Sequence, residues 1–153
     1  MEPLSRDESL EILDQAMVGH LGVISDGEPY VTPTSFVRDG DRIMFRTKLG
    51  RKLHALKEHP RVCLEVARLD DDSGDWESVI VYGNAVEALD RETGELTIHL
   101  LYEKYRRWLG SPLDRGGLQP LPGWPQVMVI EIESISGLSS HNGFSSRARP
   151  GRL

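Results

Sequence analysis

The chain has 153 residues and a formal net charge of −6, with 39% hydrophobic and 27% charged residues. This size and composition are typical of one globular domain with room for a core. The acidic balance disfavours nucleic acid as a partner, because phosphate binding normally needs a basic face. No apolar run approaches the roughly 18 residues that span a membrane, and the acidic N-terminus is unlike a signal peptide, so we expect a cytoplasmic protein.

The chain is predicted to begin with a short amphipathic helix. Ser5 and Glu8 have the spacing of a capping box, in which two side chains satisfy the free N–H groups of a helix start. Leu10, Leu13 and Met17 then recur at helical spacing. Gly19 is expected to end this helix.

Three strands joined by two tight turns are predicted next. The segments are HLGVIS, PYVTPTSFV and DRIMFRT, separated by Asp26-Gly27 and Asp39-Gly40. Asp-Gly favours the positive φ that tight hairpins require. Pro33 lies inside the middle segment and lacks an N–H donor, which predicts an edge strand, a bulge or a break there.

The rest of the chain alternates helices and strands. A short helix over RKLHALKEH should stop before Pro60, and RVCLEVARL, WESVIVYGNAVEAL and QVMVIEIESI are predicted strands. Gly83 suggests a bend or bulge in the second of these. A second helix is expected over DRETGELTIHLLYEKYRRWL, followed by a Pro/Gly-rich loop over 110–125. The single cysteine, Cys63, excludes an internal disulfide and is expected to be a small buried side chain.

These elements predict a mainly β fold, a closed barrel of six antiparallel strands with a few helices. We expect a single domain over residues 1–138 and a polar, basic C-terminal tail over residues 139–153.

Most common catalytic and metal-binding motifs are absent from the sequence. There is no G-x-G-x-x-G, no Walker loop and no G-x-S-x-G. His54 and His59 are five residues apart, which does not suit one helix face, and no cysteine pair accompanies them. The sequence therefore predicts no metal site.

The segment FRTKLGRKLHAL concentrates positive charge between a predicted strand and a predicted helix. Arg51 and Lys52 fall in the first helical turn, where free N–H groups and the helix dipole already favour an anion. A phosphate held by a lysine charge and an arginine fork would explain them. The alternative is an ordinary solvated basic surface.

In the order and spacing of its segments, the chain resembles the pyridoxamine 5′-phosphate oxidase-like FMN-binding split-barrel superfamily. It is most similar to the short members, which include nitroimidazole-resistance-type proteins. The segments that carry the resemblance are HLGVISDGEPYVTPTSFVRDGDRIMFRT, GRKLHALKEHPRVCLEV and WESVIVYGNAVE. The resemblance implies a Greek-key split barrel, a homodimer with FMN at the subunit interface, and flavin-dependent oxidoreductase activity on a small molecule.

The resemblance also implies cofactor-binding positions, although no catalytic residue. Two short runs would lie beside the flavin ring, a basic pair would hold the phosphate, and one serine would lie near the cofactor. The positions are Pro33, Thr34, Ser35, Arg46, Thr47, Lys48, Arg51, Lys52 and Ser78.

Two departures and two alternatives accompany this resemblance. Nitroimidazole-resistance-type proteins carry a histidine near the end of the third strand, where this chain has Arg46 or a neighbour. The substrate-phosphate and C-terminal arginine motifs of true pyridoxamine phosphate oxidases cannot be placed here. The alternatives are a deazaflavin-coenzyme-dependent reductase of the same fold, or a non-catalytic module that binds flavin or haem.

Overall fold

The computed structural model describes residues 1–109 and 126–141. The helices are α1 (Arg6–Gln15), α2 (Arg51–Glu58) and α3 (Arg91–Leu109). The strands are β1 (Glu2–Leu4), β2 (Gly19–Ser25), β3 (Glu28–Thr34), β4 (Val37–Asp39), β5 (Arg42–Thr47), β6 (Arg61–Leu69), β7 (Trp76–Glu87) and β8 (Gln126–Ser140). Within the described ranges, no helix combines the length and apolarity needed to cross a bilayer.

The strands form one antiparallel sheet in the order β3-β2-β6-β7-β8-β5-β4, and β1 pairs with the far end of β8. β3 and β4 lie at opposite ends of this order, yet only residues 35 and 36 separate them along the chain. Thr34 and Val37 are three residue steps apart and therefore at most about 11 Å from each other. The two ends of the sheet must therefore meet at this crossing, which confirms the predicted barrel class.

The described part of the chain has eight strands rather than the predicted six, for two reasons. The segment predicted as one strand around Pro33 breaks at Ser35 and Phe36 into β3 and β4. The N-terminal residues Glu2–Leu4 add β1, which is too short to be seen as a hydrophobic pattern. Pro33 lies on β3 at the end of the strand order, so of the three options that its missing N–H predicted, an edge strand is present.

Both predicted hairpins are present, the second with its turn moved by one residue. Ser25 pairs with Glu28, and both turn residues have positive φ, 53° at Asp26 and 78° at Gly27. In the second hairpin Asp39 pairs with Arg42, so the turn consists of residues 40 and 41.

The predicted capping box of α1 is confirmed, but its predicted end is wrong. Ser5 Oγ accepts the N–H of Glu8, and the Glu8 carboxylate accepts the N–H of Ser5. The helix ends at Gln15, and Gly19 instead opens β2. A Cβ at Gly19 would lie 2.8 Å from Leu64 Cδ1, so this glycine permits close packing rather than ending a helix.

The bend predicted at Gly83 is present as an irregularity in the pairing of β7 with β8, between Tyr82 and Gly83. A Cβ at Gly83 would come within 2.2 Å of the Glu131 carbonyl oxygen, which explains the glycine. β8 continues to Ser140, two residues into the segment predicted as a tail. Residues 142–153 of that tail, like the predicted loop over 110–125, lie outside the described residues.

The barrel interior contains one main apolar cluster, which includes Leu21, Phe45, Leu64 and Val79. A smaller cluster of Val37, Met44 and Leu101 attaches α3 to β4 and β5. Cys63 is only half-buried, so the prediction of a buried cysteine is wrong. Its side chain lies on the outer face of β6, between glycine and tyrosine neighbours on β2 and β7.

Candidate anion-binding cavity

A cavity of about 640 Å³ opens where the β3–β4 crossing meets the end of β5. Its lining combines hydroxyl groups and cations from β3, β5 and α2 with apolar side chains from the α1–β2 connection and from α3. The lining residues are Met17, Val18, Pro33, Thr34, Ser35, Arg46, Thr47, Lys48, Lys52, Leu101, Tyr105 and Trp108. Seven of the nine sequence-predicted positions are therefore brought together, and Arg51 and Ser78 are not.

Lys52 lies in the first turn of α2, and its side chain extends to the end of β3. Its Nζ donates to Thr34 Oγ1 at 3.2 Å and lies 6.0 Å from the centroid of the Phe45 ring. Burial lowers the pKa of the Lys52 ammonium, since desolvation disfavours the charged form. Gly50 is the N-cap, and no side chain caps the helix start within the described residues. The ammonium and these amide N–H groups together favour an anion.

The strand β5 ends with Arg46 and Thr47, whose side chains lie on opposite faces, and Lys48 follows the strand. Successive strand residues alternate between faces, and Phe45 belongs to the barrel core while Met44 belongs to the cluster against α3. Arg46 is therefore on the α3 side of β5, together with Met44. Burial lowers the pKa of the Arg46 guanidinium, which remains charged because its ordinary pKa is so high.

The Tyr105 hydroxyl fastens α3 to the other walls of the cavity. It accepts the N–H of Phe36 at 3.1 Å and lies within hydrogen-bond distance of two carbonyl oxygens, Met17 at 2.8 Å and Phe36 at 3.2 Å. Its contacts therefore join α3, the α1–β2 connection and the β3–β4 crossing. Burial raises the pKa of the Tyr105 hydroxyl, which keeps it a neutral donor.

Lys104 supports the same crossing from outside the cavity. Its Nζ donates to the Phe36 carbonyl at 3.0 Å and lies 4.0 Å from the centroid of the Phe36 ring. Burial lowers the pKa of Lys104 to about 8, partly offset by the Asp14 carboxylate. Two neighbouring residues of α3, Lys104 and Tyr105, thus hold the buried Phe36, which directly follows the lining residue Ser35.

Arg51 points away from the cavity, although it precedes Lys52. Its Nε donates to Ser25 Oγ at 2.9 Å, and its guanidinium lies 4.1 Å from the centroid of the Tyr30 ring. Consecutive helix residues are about 100° apart around the axis. The predicted Arg-Lys pair is therefore divided, with Lys52 lining the cavity and Arg51 on the β2–β3 hairpin.

Ser78 lies on the outer face of β7, away from the cavity of its own chain. Its hydroxyl donates to Glu65 Oε1 at 3.0 Å, and the other Glu65 oxygen is 3.1 Å from His20 Nδ1. The three side chains form one hydrogen-bonded row across β7, β6 and β2. Any contact of Ser78 with a ligand in this cavity would need a second copy of the chain.

The sequence did not single out five lining residues, all of them on the apolar side. Met17 and Val18 belong to the α1–β2 connection, which the sequence pattern predicts as the last turn of a helix. Leu101, Tyr105 and Trp108 are spaced by four and three residues on α3, which places them on one helix face. That spacing was visible in the sequence, but it does not say which element the face packs against.

A second cavity, also of about 640 Å³, lies on the outer face of the sheet. It is lined mainly by small or apolar residues, among them Gly22, Val31, Cys63 and Tyr82. The surrounding face exposes several large apolar side chains. These are Ile24 at 36%, Val31 at 64%, Tyr82 at 42% and Leu138 at 42% exposure. We call these four residues the outer apolar face.

One group of possible metal ligands occurs in the described residues, between the tip of the β2–β3 hairpin and α2. Asp26, His54 and Glu58 place one ligand atom each within 4.8 Å of one another, and all three residues are exposed. Exposed groups of this kind are common without an ion. The group lies outside the cavity lining.

Comparison with known proteins places this geometry in a family. A profile described as pyridoxamine 5′-phosphate oxidase matches residues 5–138. The uncharacterized protein RA0666 of Rhizobium meliloti (strain 1021) is 28% identical over 142 residues, which cover 90% of this chain and 83% of that protein.

Solved structures share the fold. A FAD-binding protein from Mesorhizobium loti has a TM-score of 0.72 and 24% identity, over 90% of this chain and 95% of that one. A proposed 5-nitroimidazole antibiotic resistance protein from Bacteroides thetaiotaomicron VPI-5482 has a TM-score of 0.70 and 19% identity, over 89% and 85%. The flavocytochrome Anf3 from Azotobacter vinelandii has a TM-score of 0.69 and 25% identity, over 87% and 66%. Because the family profile spans most of the sequence on a matching fold, the chain belongs to the pyridoxamine 5′-phosphate oxidase family.

Proposed function

We propose that the chain is a flavin-dependent oxidoreductase that binds FMN in the cation-lined cavity and acts on a small molecule. The observation that carries the proposal is the position of Lys52, half-buried in the cavity wall beside the uncapped start of α2. The fold relatives described as a FAD-binding protein and a flavocytochrome support a flavin as the ligand.

The residues of the cavity fit a flavin phosphate by their chemistry. Lys52 supplies a charge, the first N–H groups of α2 supply donors, and the hydroxyls of Thr34 and Thr47 lie in the same lining. A volume of about 640 Å³ is within the usual range for cofactor sites. When bound, the flavin would supply the electron transfer, while the protein binds it, orients it and limits its contact with water.

Arg51, which the resemblance implies as a phosphate ligand, is given a positioning role in this proposal. To reach a phosphate in the cavity, it would have to leave Ser25 Oγ and the face of the Tyr30 ring. We therefore assign the main phosphate contact to Lys52, and we assign to Arg51 the positioning of the β2–β3 hairpin against α2.

We also propose that the functional unit is a homodimer. The outer apolar face exposes four large apolar side chains on one side of the sheet, and such surfaces commonly mark protein interfaces. Ser78 lies on the same side of the sheet as Tyr82 because strand residues two apart share a face. A second copy packed there would bring Ser78 toward the partner's cavity, as the predicted cofactor contact requires.

The test is to release any small molecule from the freshly purified protein and identify it by mass, alongside a visible spectrum before release. FMN and the absorption bands of an oxidised flavin are expected. A deazaflavin coenzyme with a single band toward the violet would favour the reductase of that type, and a Soret band would favour a haem-binding module. A colourless protein that also fails to take up added FMN would overturn the proposal.

A further inference from the structure

The described lining of the cation-lined cavity lacks the side chains that most often transfer protons in catalysis. It contains neither a carboxylate nor an imidazole, and its proton-bearing side chains are those of arginine, lysine and tyrosine. Arginine and lysine ordinarily keep their protons at neutral pH. The Tyr105 hydroxyl, whose pKa is raised by burial, is bound by the backbone of Met17 and Phe36. A proton donor for a substrate is therefore best sought at the edge of the cavity.

His20 lies at this edge. It pairs directly with Pro33 of β3, which lines the cavity, and it comes two residues after Val18, another lining residue. Directly opposed residues of antiparallel strands have Cβ atoms about 4.5–5.5 Å apart, and their side chains share one face of the sheet. The His20 imidazole is therefore adjacent to the Pro33 ring. Its side chain is 53% exposed, so that a small molecule at the cavity opening can reach it.

Glu65 and Ser78 hold this imidazole in one orientation. His20 Nδ1 lies 3.1 Å from Glu65 Oε2, and because an ionised carboxylate only accepts hydrogen bonds, Nδ1 carries the hydrogen. The Ser78 hydroxyl donates to the other oxygen, Glu65 Oε1, at 3.0 Å. With Nδ1 bound to Glu65, Nε2 is the ring nitrogen that can exchange a proton. An imidazole oriented by a carboxylate is a common arrangement for a general acid or base.

We propose that His20 is the proton donor for the molecule reduced in this cavity, and that Glu65 and Ser78 are positioning residues for it. The substrate class is a quinone or another acceptor whose reduction places a proton on oxygen. The inference rests on the proposed function, because the electrons come from the flavin. It gives Ser78 a role that needs no second copy of the chain.

The proposed step balances for a quinone, which takes up two electrons and two protons to become a hydroquinone. With both electrons and one proton coming from the reduced flavin, His20 donates the second proton. The N–H bond at Nε2 breaks and an O–H bond forms at the quinone oxygen. The imidazole then regains its proton from water.

The kinetic experiment compares two acceptors that differ in their need for protons. The FMN-loaded protein is reduced by light in the absence of oxygen and mixed with duroquinone or with ferricyanide, while the flavin absorption is followed. Duroquinone takes up protons, whereas ferricyanide takes up electrons alone. His20→Gln should slow reoxidation by duroquinone about 100-fold, the lower end of what general acid catalysis usually contributes. It should leave reoxidation by ferricyanide unchanged.

Two further variants separate positioning from a general structural effect. Glu65→Gln should slow only the duroquinone reaction, and by less than His20→Gln, because an amide oxygen can still accept from Nδ1 but carries no charge to stabilise an imidazolium. His99→Gln is the matched control, since His99 is exposed on α3 and absent from the cavity lining. It should change neither rate.

A second readout does not depend on activity. The imidazole NMR signals of His20 and His99, identified by their absence from the two glutamine variants, are followed while the cofactor-free protein is titrated with FMN. The His20 signals should shift as the cavity fills, because the imidazole adjoins the cavity wall. Those of His99 should stay in place.

The outcomes separate this inference from the proposed function. If FMN binds while the His20 signals do not move, the inference is overturned and the flavin assignment stands. The same conclusion follows if His20→Gln slows both acceptors equally, or neither. An equal effect of Glu65→Gln on both acceptors would remove the positioning role. A protein that fails to take up FMN would overturn the flavin assignment and, with it, the role of His20.

Discussion

Two cavities lined by the described residues have the same volume, about 640 Å³ each, and opposite chemistry. The first has three cations among its described lining residues and one apolar wall. The second, on the outer face of the sheet, contains one arginine, Arg61, and that residue is already paired with Glu133. Volume alone would rank the two equally as ligand sites, so charge must distinguish them.

The difference follows from where each cavity lies in the fold. The first is at the crossing where the two ends of the sheet meet, so β3, β5, α2 and α3 all contribute walls. The second lies on the open side of β2, β3, β6 and β7, where strand side chains alternate and only one face can be buried in the barrel. Apolar residues on that open face are better explained by a second protein surface than by a small polar ligand.

The largest expected effect is on this outer apolar face. Val31→Arg should convert the proposed homodimer to a monomer, because two-fold symmetry would place the new charge in the interface twice. Unpaired or like charges there cost several kcal/mol, more than about 100-fold in association. Light scattering coupled to size-exclusion chromatography measures the mass. Leu89→Arg is the matched control, at 87% exposure and outside both the strands and the second cavity. A dimer that survives Val31→Arg would place the interface elsewhere.

The next effect concerns the charged cavity. Lys52→Ala removes one charge-assisted contact, about 1.5–3 kcal/mol or roughly ten- to 150-fold in FMN affinity. Lys57→Ala is the control on the same helix, since Lys57 is exposed and lies 3.8 Å from Glu87 rather than in the cavity. Fluorescence titration with FMN compares the three proteins. Equal affinities would show that Lys52 does not hold the phosphate.

A smaller effect is expected where α3 joins the cavity wall. Tyr105→Phe removes the hydrogen-bond acceptor of the Phe36 N–H. Phe36 is 0% exposed. Leaving that donor buried should lower the free energy of unfolding by about 1–3 kcal/mol, measured by urea denaturation. FMN affinity should fall as well, because the β3–β4 crossing loses its hydrogen bonds to α3. Tyr102→Phe, on the same helix but outside the lining, should change FMN affinity far less; an equal loss would contradict the role of Tyr105.

The smallest effect is a pH dependence from Lys104, whose pKa is lowered to about 8 by burial, against an ordinary value of 10.5. Between these values the unfolded chain binds more protons than the folded one, so stability rises as the pH increases. From pH 7 to 9.5 this should add about 1–2 kcal/mol to the free energy of unfolding. Lys104→Met should lack the increase. The range stops below the titration of Tyr105, whose raised pKa acts in the opposite direction, and parallel curves for the two proteins would contradict the assignment.

Much of the fold could be predicted because the signals are local. Asp26-Gly27 makes the turn that its backbone preferences favour, and Gly83 lies at the irregularity in β7. The break of the middle strand was foreseen only as one option at Pro33. Its cause is the barrel, which sends the chain from one end of the sheet to the other within two residues.

The sequence predicted the cavity residues that lie at strand ends, and it did not predict those that reach the cavity through the packing of α3. The runs around Thr34 and Thr47 lie together because β3 and β5 end at the same opening. The lining residues on α3 were not predicted. The spacing of Leu101 and Trp108 indicates one face of a helix, but it does not show which element packs against that face. Arg51 and Lys52 are adjacent in the sequence, but consecutive helix residues are about 100° apart around the axis, so their side chains lie in different places.

The central claim is that the cation-lined cavity, rather than the outer one of equal size, holds a flavin through its phosphate. Calorimetric titration of the cofactor-free protein with FMN and with riboflavin tests it most directly, since the two ligands differ only in that phosphate. FMN is expected to bind at least about tenfold more tightly, with a preference that shrinks as salt screens the charges. Equal affinity for FMN and riboflavin would contradict the account.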